Sequence, residues 1–242
     1  MSDPQKFLVL FPGAWGNSSV EDVQWWFERF KPVMGGYKVV PLVYEGRNLH
    51  EIAANVRRQL QKAGVPPGSH ALCYSMGSQV LRAVLATDRM AFSRAVFVSG
   101  LERGGIRFVS FLHIVLAAFW SFTASLVTGR VYFRSVNHCH RVMFSSEKGT
   151  EKEAEIMLAR MKTEPMWVKI AQVFLPGFRK TLPPLTIPVQ AIVPANDLIV
   201  GGSTYKGENV RIINVTGAHA FIRHGSIRFD TLLSQISRFL AA

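Results

Sequence analysis

The sequence has few cysteines and no recognisable export signal. Its two cysteines, Cys73 and Cys139, are too few for a disulfide framework, and Cys73 lies in an apolar run that we expect to be buried. Residues 1–6 lead directly into an apolar run, without the basic start, apolar stretch and small-residue cleavage site of a secreted protein. These absences favour a reducing compartment, and we expect a cytoplasmic location.

Acidic residues are also scarce, since 16 Asp and Glu stand against 28 Lys and Arg and leave a formal net charge of +12. The basic residues are scattered, and the sequence lacks a helix-turn-helix pattern, zinc-ligand spacing and the aromatic-basic signature of an RNA-binding sheet. We therefore expect no nucleic-acid partner. A basic solvated surface explains the charge, and attraction to anionic substrates or anionic lipid is the alternative.

Cofactor and metal motifs are missing as well. The loop from Gly13 to Ser19 has neither the glycine spacing nor the lysine of a phosphate-binding loop. His138, Cys139 and His140 are consecutive, but no further pair of metal ligands accompanies them. The sequence therefore predicts no cofactor and no metal ion.

Short apolar runs alternate with amphipathic segments over most of the chain. Strands are predicted at residues 7–11, 37–44, 71–74, 94–100, 189–193 and 210–215, and helices at 20–30, 48–63, 77–87 and 230–240. This alternation predicts an α/β fold with a doubly wound, mostly parallel sheet. A chain of 242 residues is long enough for one such domain with an insertion.

The alternation stops between residues 101 and 184. We interpret this segment as a helical cap on a core formed by residues 1–100 and 185–242. The segment includes a charge-rich helix predicted at 151–161 and an apolar stretch at 167–175.

An uncharged run occupies residues 108–129 and is longer than the roughly 18 residues that can cross a bilayer. A single crossing would put Ser75 and the last strands of its own sheet on opposite sides of the membrane, so we assign the run to the cap. A basic aromatic stretch follows it, with Arg130, Arg134 and Arg141. Peripheral contact of the cap with an anionic membrane is therefore the alternative.

Ser75 follows the apolar run from His70 to Tyr74 and precedes a helical segment that begins at Gly77. A serine between a strand and a helix stands at a sharp turn, where its side chain points out at the carboxyl edge of the sheet. Such a turn favours a positive φ and small neighbours two residues away on either side, and Cys73 and Gly77 meet this need. The pattern predicts a nucleophilic serine, with a helix N-cap at Ser75 as the structural alternative.

A nucleophilic serine needs a base and an acid that orients the base. His219 follows the last predicted strand and is the best placed of the histidines, with His224 as its main rival. Asp197 follows the penultimate predicted strand, where ligand-facing residues gather in open α/β sheets, although aspartate is also common in turns. Ser75, Asp197 and His219 thus occur in the order serine, acid, histidine that a triad on such a sheet follows.

These motifs resemble those of the α/β-hydrolase superfamily over most of residues 7–100 and 187–240. The similar segments are Leu10 to Gly16 for the oxyanion loop, Cys73 to Gly77 for the nucleophile elbow, Asn196-Asp197 for the acid and Gly217 to His219 for the base. Members of that family commonly carry an inserted helical cap where residues 101–184 lie. The resemblance implies Ser75 as nucleophile, His219 as general base and then acid, and Asp197 as the residue that orients His219.

The same resemblance implies that the backbone N–H groups of Ala14 and Met76 stabilise an oxyanion. Two residues depart from the family pattern: Pro12 replaces a common histidine, and Cys73 replaces the first glycine of the elbow. Because Pro12 can hold the loop differently, the N–H of Trp15 is an alternative to that of Ala14.

The leading hypothesis is a serine hydrolase of the carboxylesterase or lipase type, which cleaves a small-molecule ester or thioester through an acyl-enzyme on Ser75. The apolar character of the cap predicts a hydrophobic acyl or aryl group in the substrate. The candidate pocket residues are Trp15, Tyr74, Phe111, Phe119 and Trp120. A carbon–carbon bond hydrolase or an acyltransferase with the same triad, and a non-catalytic ligand-binding protein, are the alternatives.

Overall fold

The computed structural model describes residues 6–14, 19–46, 48–87, 92–106, 108–128, 133–161, 182–200, 203, 205–223 and 229–242. Six strands in these ranges are β1 Lys6–Phe11, β2 Tyr37–Pro41, β3 His70–Tyr74, β4 Arg94–Val98, β5 Val189–Pro194 and β6 Val210–Val215. They form one sheet in the order β2-β1-β3-β4-β5-β6, and every neighbouring pair is parallel. The predicted α/β fold with a parallel sheet is confirmed.

The inner strands of this sheet are apolar on both faces because helices cover both sides. Every residue of β3 and of β5 is buried, as a parallel sheet between two helical layers requires. The edge strands β2 and β6 are only partly buried. The core is thus deepest around β3, the strand that leads to Ser75.

The described helices are α1 Val20–Phe27, α2 Lys31–Met34, α3 Leu49–Lys62, α4 Gly77–Thr87, α5 Phe108–Ala117, α6 Phe119–Thr128, α7 Val136–Met143, α8 Glu151–Arg160 and α9 Phe229–Ala241. Side-chain caps begin several of them, because the first N–H groups of a helix lack partners within it. The Ser19 hydroxyl accepts from the Asp22 N–H at 3.1 Å, and the Asn48 side chain accepts from the Glu51 N–H at 2.9 Å.

Several predicted elements are shorter than expected, and the largest differences are at α1 and β2. The helix predicted at 20–30 ends at Phe27 and continues as a 3-10 turn over Glu28–Phe30. The strand predicted at 37–44 ends at Pro41, opposite Leu10 near the end of β1, its partner in the sheet. Each element keeps the type that its sequence pattern predicts.

Four helices in the described ranges, α5 to α8, lie between β4 and β5 in the chain, within the segment predicted as a cap. The uncharged run divides at Ala118 into the two ten-residue helices α5 and α6, and the ring of Phe111 meets that of Phe122 edge-on at 5.8 Å. Among the described residues, no helix combines the length and the apolar character needed to cross a membrane. The apolar stretch predicted at 167–175 lies outside the described residues.

A buried ion pair joins α4, which follows Ser75, to the loop before β6, the strand that leads to His219. Arg82 of α4 donates from Nη2 to Oε2 of Glu208 at 2.7 Å, and neither side chain is open to solvent. Glu208 lies just before β6. Since a buried charge is stable only when paired, this contact holds the two elements together.

Candidate active site

Ser75 occupies the turn between β3 and α4 in a left-handed backbone conformation, with φ of 51°. Its N–H donates to the carbonyl of Val98 at the end of β4 at 3.0 Å, and its carbonyl accepts from the Ser78 hydroxyl at 2.9 Å. A non-glycine residue with positive φ is strained by about 1–2 kcal/mol and persists only where its surroundings hold it. These bonds hold the turn, and they point the Ser75 side chain away from the strand.

Two glycines allow the chain to approach Ser75 closely. A Cβ at Gly77 would lie 2.1 Å from the carbonyl oxygen of Phe11, so only glycine fits between α4 and the end of β1. A Cβ at Gly13 would lie 2.8 Å from the ring of Tyr74 and 3.3 Å from the Cβ of Ser75. The loop after β1 therefore lies directly against the serine, and Ala14 follows at its edge.

Asp197 lies in the turn that follows β5 and is almost completely buried. Its Oδ1 accepts two backbone hydrogen bonds, from Ile199 at 2.8 Å and from Val200 at 3.0 Å. Its Oδ2 is 2.8 Å from Nδ1 of His219. Two N–H donors thus fix one carboxylate oxygen and leave the other free to face the imidazole.

His219 joins the acid to the serine. The imidazole is buried, with Nδ1 at 2.8 Å from Asp197 and Nε2 at 2.9 Å from the Ser75 hydroxyl oxygen. An ionised carboxylate only accepts hydrogen bonds, so Nδ1 carries the proton and the Nε2 lone pair faces the hydroxyl. The structure thus brings together the three residues that the sequence selects from distant segments, whereas the rival His224 lies outside the described residues.

Two hydroxyl groups hold the backbone of His219, and sequence reasoning did not identify this role for either. Tyr74 donates to the His219 carbonyl at 3.1 Å, and Ser99, with φ of 47°, donates to the same oxygen at 2.9 Å. Burial raises the pKa of the Tyr74 phenol well above its usual range, and the nearby carboxylate of Asp197 raises it further. The phenol therefore stays protonated and remains a donor. Ser99 directly follows β4, at the carboxyl end of that strand. This position is the only sequence signal for its role.

The end of α7 and the segment that follows it contact the loops that carry the acid and the base. The carbonyl of Met143 accepts from the N–H of Ala220, the residue after His219, at 2.8 Å. The hydroxyl of Ser145 donates to the carbonyl of Asn196, the residue before Asp197. The inserted helices are thus bonded directly to the backbone on which the imidazole and carboxylate are mounted.

The residues predicted to line a pocket differ from one another in how far the structure buries them. Tyr74 is buried, with its ring stacked on Trp26 at 4.9 Å, so it supports His219 from within the core. Phe111 is half-buried, and Phe119 and Trp120 are open to solvent with 48% and 62% of their surface exposed. Trp15, the alternative oxyanion donor and pocket residue, lies outside the described residues.

Cys73 is buried next to the serine turn and makes no contribution to nucleophilicity. Burial raises the pKa of its thiol well above the usual range, and only the charge of Arg82 opposes this effect. A protonated, buried thiol is a weak nucleophile and is protected from oxidants. Among the described residues, no group of three His, Cys, Asp or Glu side chains is arranged to hold a metal ion.

No protein-family model matches the sequence, and no curated protein matches it significantly. Solved structures do match its fold. The esterase EaEST from Exiguobacterium antarcticum has a TM-score of 0.71 at 10% identity, covering 98% of this chain and 93% of that chain. The esterase RhEst1 from Rhodococcus sp. ECU1013 has a TM-score of 0.69 at 19% identity, with 98% and 91% covered. The thioesterase RedJ from the prodiginine pathway of Streptomyces coelicolor has a TM-score of 0.60 at 18% identity, with 96% and 89% covered. The chain therefore has the α/β-hydrolase fold.

Proposed function

We propose that this protein is a serine hydrolase of the carboxylesterase type, which cleaves a small-molecule ester or thioester through an acyl-enzyme on Ser75. The observation that carries the proposal is the position of His219, which is within hydrogen-bond distance of both the Ser75 hydroxyl and the Asp197 carboxylate. A hydroxyl, an imidazole and a carboxylate in this order form the arrangement that activates serine near neutral pH.

In the acylation step, Nε2 of His219 takes the hydroxyl proton while Oγ of Ser75 attacks the substrate carbonyl carbon. A tetrahedral intermediate forms, and its collapse breaks the bond between the carbonyl carbon and the leaving oxygen or sulfur. His219 returns the proton to that leaving group, which departs as an alcohol or thiol. Asp197 stays ionised and stabilises the imidazolium between the two proton transfers.

In the deacylation step, water takes the place of the alcohol. His219 removes a proton from the water as its oxygen attacks the acyl carbon, and a second tetrahedral intermediate forms. Its collapse breaks the bond to Oγ, and His219 returns the proton to Ser75. The products are a carboxylic acid and the free enzyme.

The backbone N–H groups of Met76 and Ala14 are the proposed donors to the negative oxygen of both intermediates. Met76 directly follows the nucleophile, and its N–H has no acceptor within the part of the chain that the structure describes. Ala14 follows Gly13, whose backbone lies against Ser75. A single donor of this kind contributes on the order of 100-fold or more in rate, because it meets charge that develops only in the transition state.

The proposed substrate class rests on the composition of residues 101–184 and on the structural neighbours. Residues 101–184 are the proposed helical cap over the core of residues 1–100 and 185–242. Met143, at the end of α7, contacts the base loop, and Ser145 contacts the acid loop. The cap is rich in apolar side chains, which favours a hydrophobic acyl or aryl group. Structural neighbours described as esterases and a thioesterase support an ester-type substrate, and we propose no cofactor for the reaction.

The direct test is labelling of the full chain with a fluorophosphonate probe. We expect one equivalent of probe on the peptide that contains Ser75, located by mass spectrometry, together with hydrolysis of p-nitrophenyl esters. Ser75→Ala removes the nucleophile, and we expect both labelling and hydrolysis to disappear.

The matched control is Ser234→Ala, since Ser234 is exposed on α9 away from the three residues. We expect this variant to label and hydrolyse like the unmodified chain. Labelling elsewhere than at Ser75, or ester hydrolysis by Ser75→Ala at the rate of the unmodified chain, would contradict the proposal and favour a non-catalytic protein or a different nucleophile.

A further inference from the structure

The helices α5 and α6 present large apolar side chains to solvent. We name these side chains the apolar face. They are Val109, Leu112, Leu116, Phe119, Trp120 and Val127, with exposures from 46% to 86%. Single exposed apolar residues are normal, but a cluster on two consecutive helices marks a surface that contacts another apolar phase.

No charged residue interrupts this surface. Residues 108–128, which form the two helices, contain no Asp, Glu, Lys or Arg. A solvated helix face of a globular protein would alternate with charges, which these helices do not. Both helices are therefore without a formally charged residue, although His113 is also exposed on α5.

The chain around the apolar face carries charge of one sign. Between Glu102 and Glu147 there is no acidic residue, whereas the same segment contains Arg103, Arg107, Arg130, Arg134 and Arg141. A segment with basic residues and no acidic residue has a positive local potential, which attracts anionic surfaces. The net charge of this segment thus has the same sign as that of the whole chain, and the segment contains no acidic residue.

One of these arginines, Arg134, contacts α6 through its backbone, and Arg141 lies on α7, the helix that contacts α6 through His138. The N–H of Arg134 donates to the hydroxyl oxygen of Ser121 at 2.7 Å, and the same hydroxyl is 2.7 Å from Nδ1 of His138 on α7. Arg141 lies one turn further along α7, and its charge and that of Arg134 both act on His138. Both arginine side chains are exposed. The backbone of Arg134 and the helix that carries Arg141 thus contact α6, the helix that also carries Trp120.

We propose that the apolar face, with Arg134 and Arg141 beside it, docks on the headgroup region of an anionic lipid bilayer. Helices of ten residues are about 15 Å long, half the roughly 30 Å of a hydrocarbon core, so they lie in the interface and do not cross it. Trp120 suits this position, because tryptophan concentrates at the boundary between headgroups and acyl chains. Arginines reach anionic headgroups while the apolar side chains enter the acyl boundary.

A second copy of the chain fits this surface less well than a bilayer. A symmetric dimer through the apolar face would bring together two segments that each carry five arginines and no acid. Like charges facing one another across an interface oppose association. An anionic bilayer instead supplies the missing negative charge.

The test is co-sedimentation of the full chain with vesicles of phosphatidylcholine alone and of phosphatidylcholine with phosphatidylglycerol. We expect binding to the anionic vesicles at low salt and at least a tenfold weaker partition in 0.5 M salt or on neutral vesicles, since surface charge is screened. Leu116→Ser with Trp120→Ser removes apolar contact, and we expect partition to fall at least tenfold.

The charge variant, Arg134→Gln with Arg141→Gln, tests the second half of the proposal. At about fivefold per arginine near the surface, we expect partition to fall roughly 30-fold. Its matched control is Arg58→Gln with Arg211→Gln, which removes two exposed arginines from α3 and β6. The control keeps the same net charge as the test variant, and we expect its binding to stay within a factor of three of the unmodified chain.

Several results would overturn the proposal: no sedimentation with anionic vesicles, unchanged binding by the Leu116 and Trp120 variant, or equal losses in the two arginine variants. A dimer in solution that the Leu116 and Trp120 substitutions dissociate would also overturn it, because the apolar face would then be a contact between copies. The inference is independent of catalysis. We expect Ser75→Ala to bind vesicles as the unmodified chain does, so each proposal can fail alone.

Discussion

The serine end of the sheet and the apolar face depart from the usual distribution of side chains in opposite ways. At the serine end, polar side chains are buried: His219 has no exposed surface, and Ser75 and Asp197 have 6% and 4%. On α5 and α6 the reverse holds, and Val127 and Leu116 have 86% and 65% of their surface in solvent. Each departure costs free energy that the chain must recover elsewhere.

The two regions differ in whether contacts within the chain offset this cost. Each buried polar side chain of the serine end has a partner within the protein, so its desolvation is offset by hydrogen bonds already present. The exposed side chains of the apolar face have no such compensation within the chain. The first region is complete by itself and suits chemistry, whereas the second gains free energy only when something covers it.

The largest effect that we expect comes from a substitution of the buried carboxylate at the serine end. We expect Asp197→Asn to lower kcat on a p-nitrophenyl ester by about 10⁴-fold, because an amide that donates to Nδ1 favours the wrong tautomer of His219. Steady-state kinetics measure this effect. Asp230→Asn, at an exposed position on α9, is the control and should leave kcat unchanged. A kcat for Asp197→Asn within tenfold of the unmodified chain would mean that the contact is only structural.

The next effect concerns the close packing that the serine end requires. We expect Gly77→Ala to lower the free energy of unfolding by roughly 3 kcal/mol, because the new methyl group would meet the carbonyl of Phe11. Urea denaturation measures the change. The control is Gly104→Ala, where an added Cβ has no neighbour within 4 Å. Equal stability of the two variants would show that α4 can shift away from β1 at little cost.

A smaller effect on stability tests how the backbone of His219 is held in place. Tyr74→Phe and Ser99→Ala each remove one donor to the same carbonyl, and we expect each to lower the free energy of unfolding by about 1 kcal/mol. The double variant should lose more than the sum, since it removes both of these side-chain donors from a buried oxygen. Denaturation of all four chains gives the coupling energy.

Tyr37→Phe is the matched control for the phenol, because the Tyr37 hydroxyl makes no hydrogen bond within the described ranges. We expect it to change stability by less than about 0.5 kcal/mol. Additive losses in the double variant would indicate that the two hydroxyls do not act on one acceptor.

The smallest effect concerns a histidine that belongs to the inserted helices. Burial lowers the pKa of His138, and the charges of Arg141 and Arg134 lower it further. The folded chain therefore binds a proton at this site less readily than the unfolded chain, so stability is kept above pH 6.5 and lost as the pH falls below it. We expect the loss to lower Tm by about 1 °C between pH 7 and pH 5.

His138→Gln removes the titrating group and should flatten that part of the curve of Tm against pH. The comparison is with His113→Gln, since His113 is exposed on α5, whereas His138 and His140 both lie on α7. A larger change in the His113 variant would place the pH sensitivity on the apolar face itself.

Much of the fold and of the serine end could be predicted because both depend on local patterns. Buried parallel strands appear as apolar runs such as Val189 to Val193, and strand ends locate side chains at one edge of the sheet. This is why Ser75, Asp197 and His219 could be selected from segments far apart in the chain. Their catalytic roles remain a proposal until kinetics test them.

Other features could not be predicted because they depend on tertiary contacts. Nothing local to Tyr74 or Ser99 indicates that their hydroxyls meet on one distant carbonyl. The run at 108–129 has no apolar periodicity, so its sequence could not tell a buried helix from one that faces solvent. Three of the candidate pocket residues belong to that run, and the exposure of two of them, Phe119 and Trp120, follows from how α5 and α6 fold back on each other.

The hydrogen bond between Met143 and Ala220 limits how this chain can be shortened. Deleting α5 to α8 and joining β4 to β5 with a short loop would keep every strand of the sheet. It would also leave the amide next to the imidazole without an acceptor and would release the turn that precedes the carboxylate. A chain trimmed in this way would keep its sheet but lose the alignment of Ser75, His219 and Asp197, so the segment between β4 and β5 must be redesigned with the core and cannot be treated as a detachable accessory.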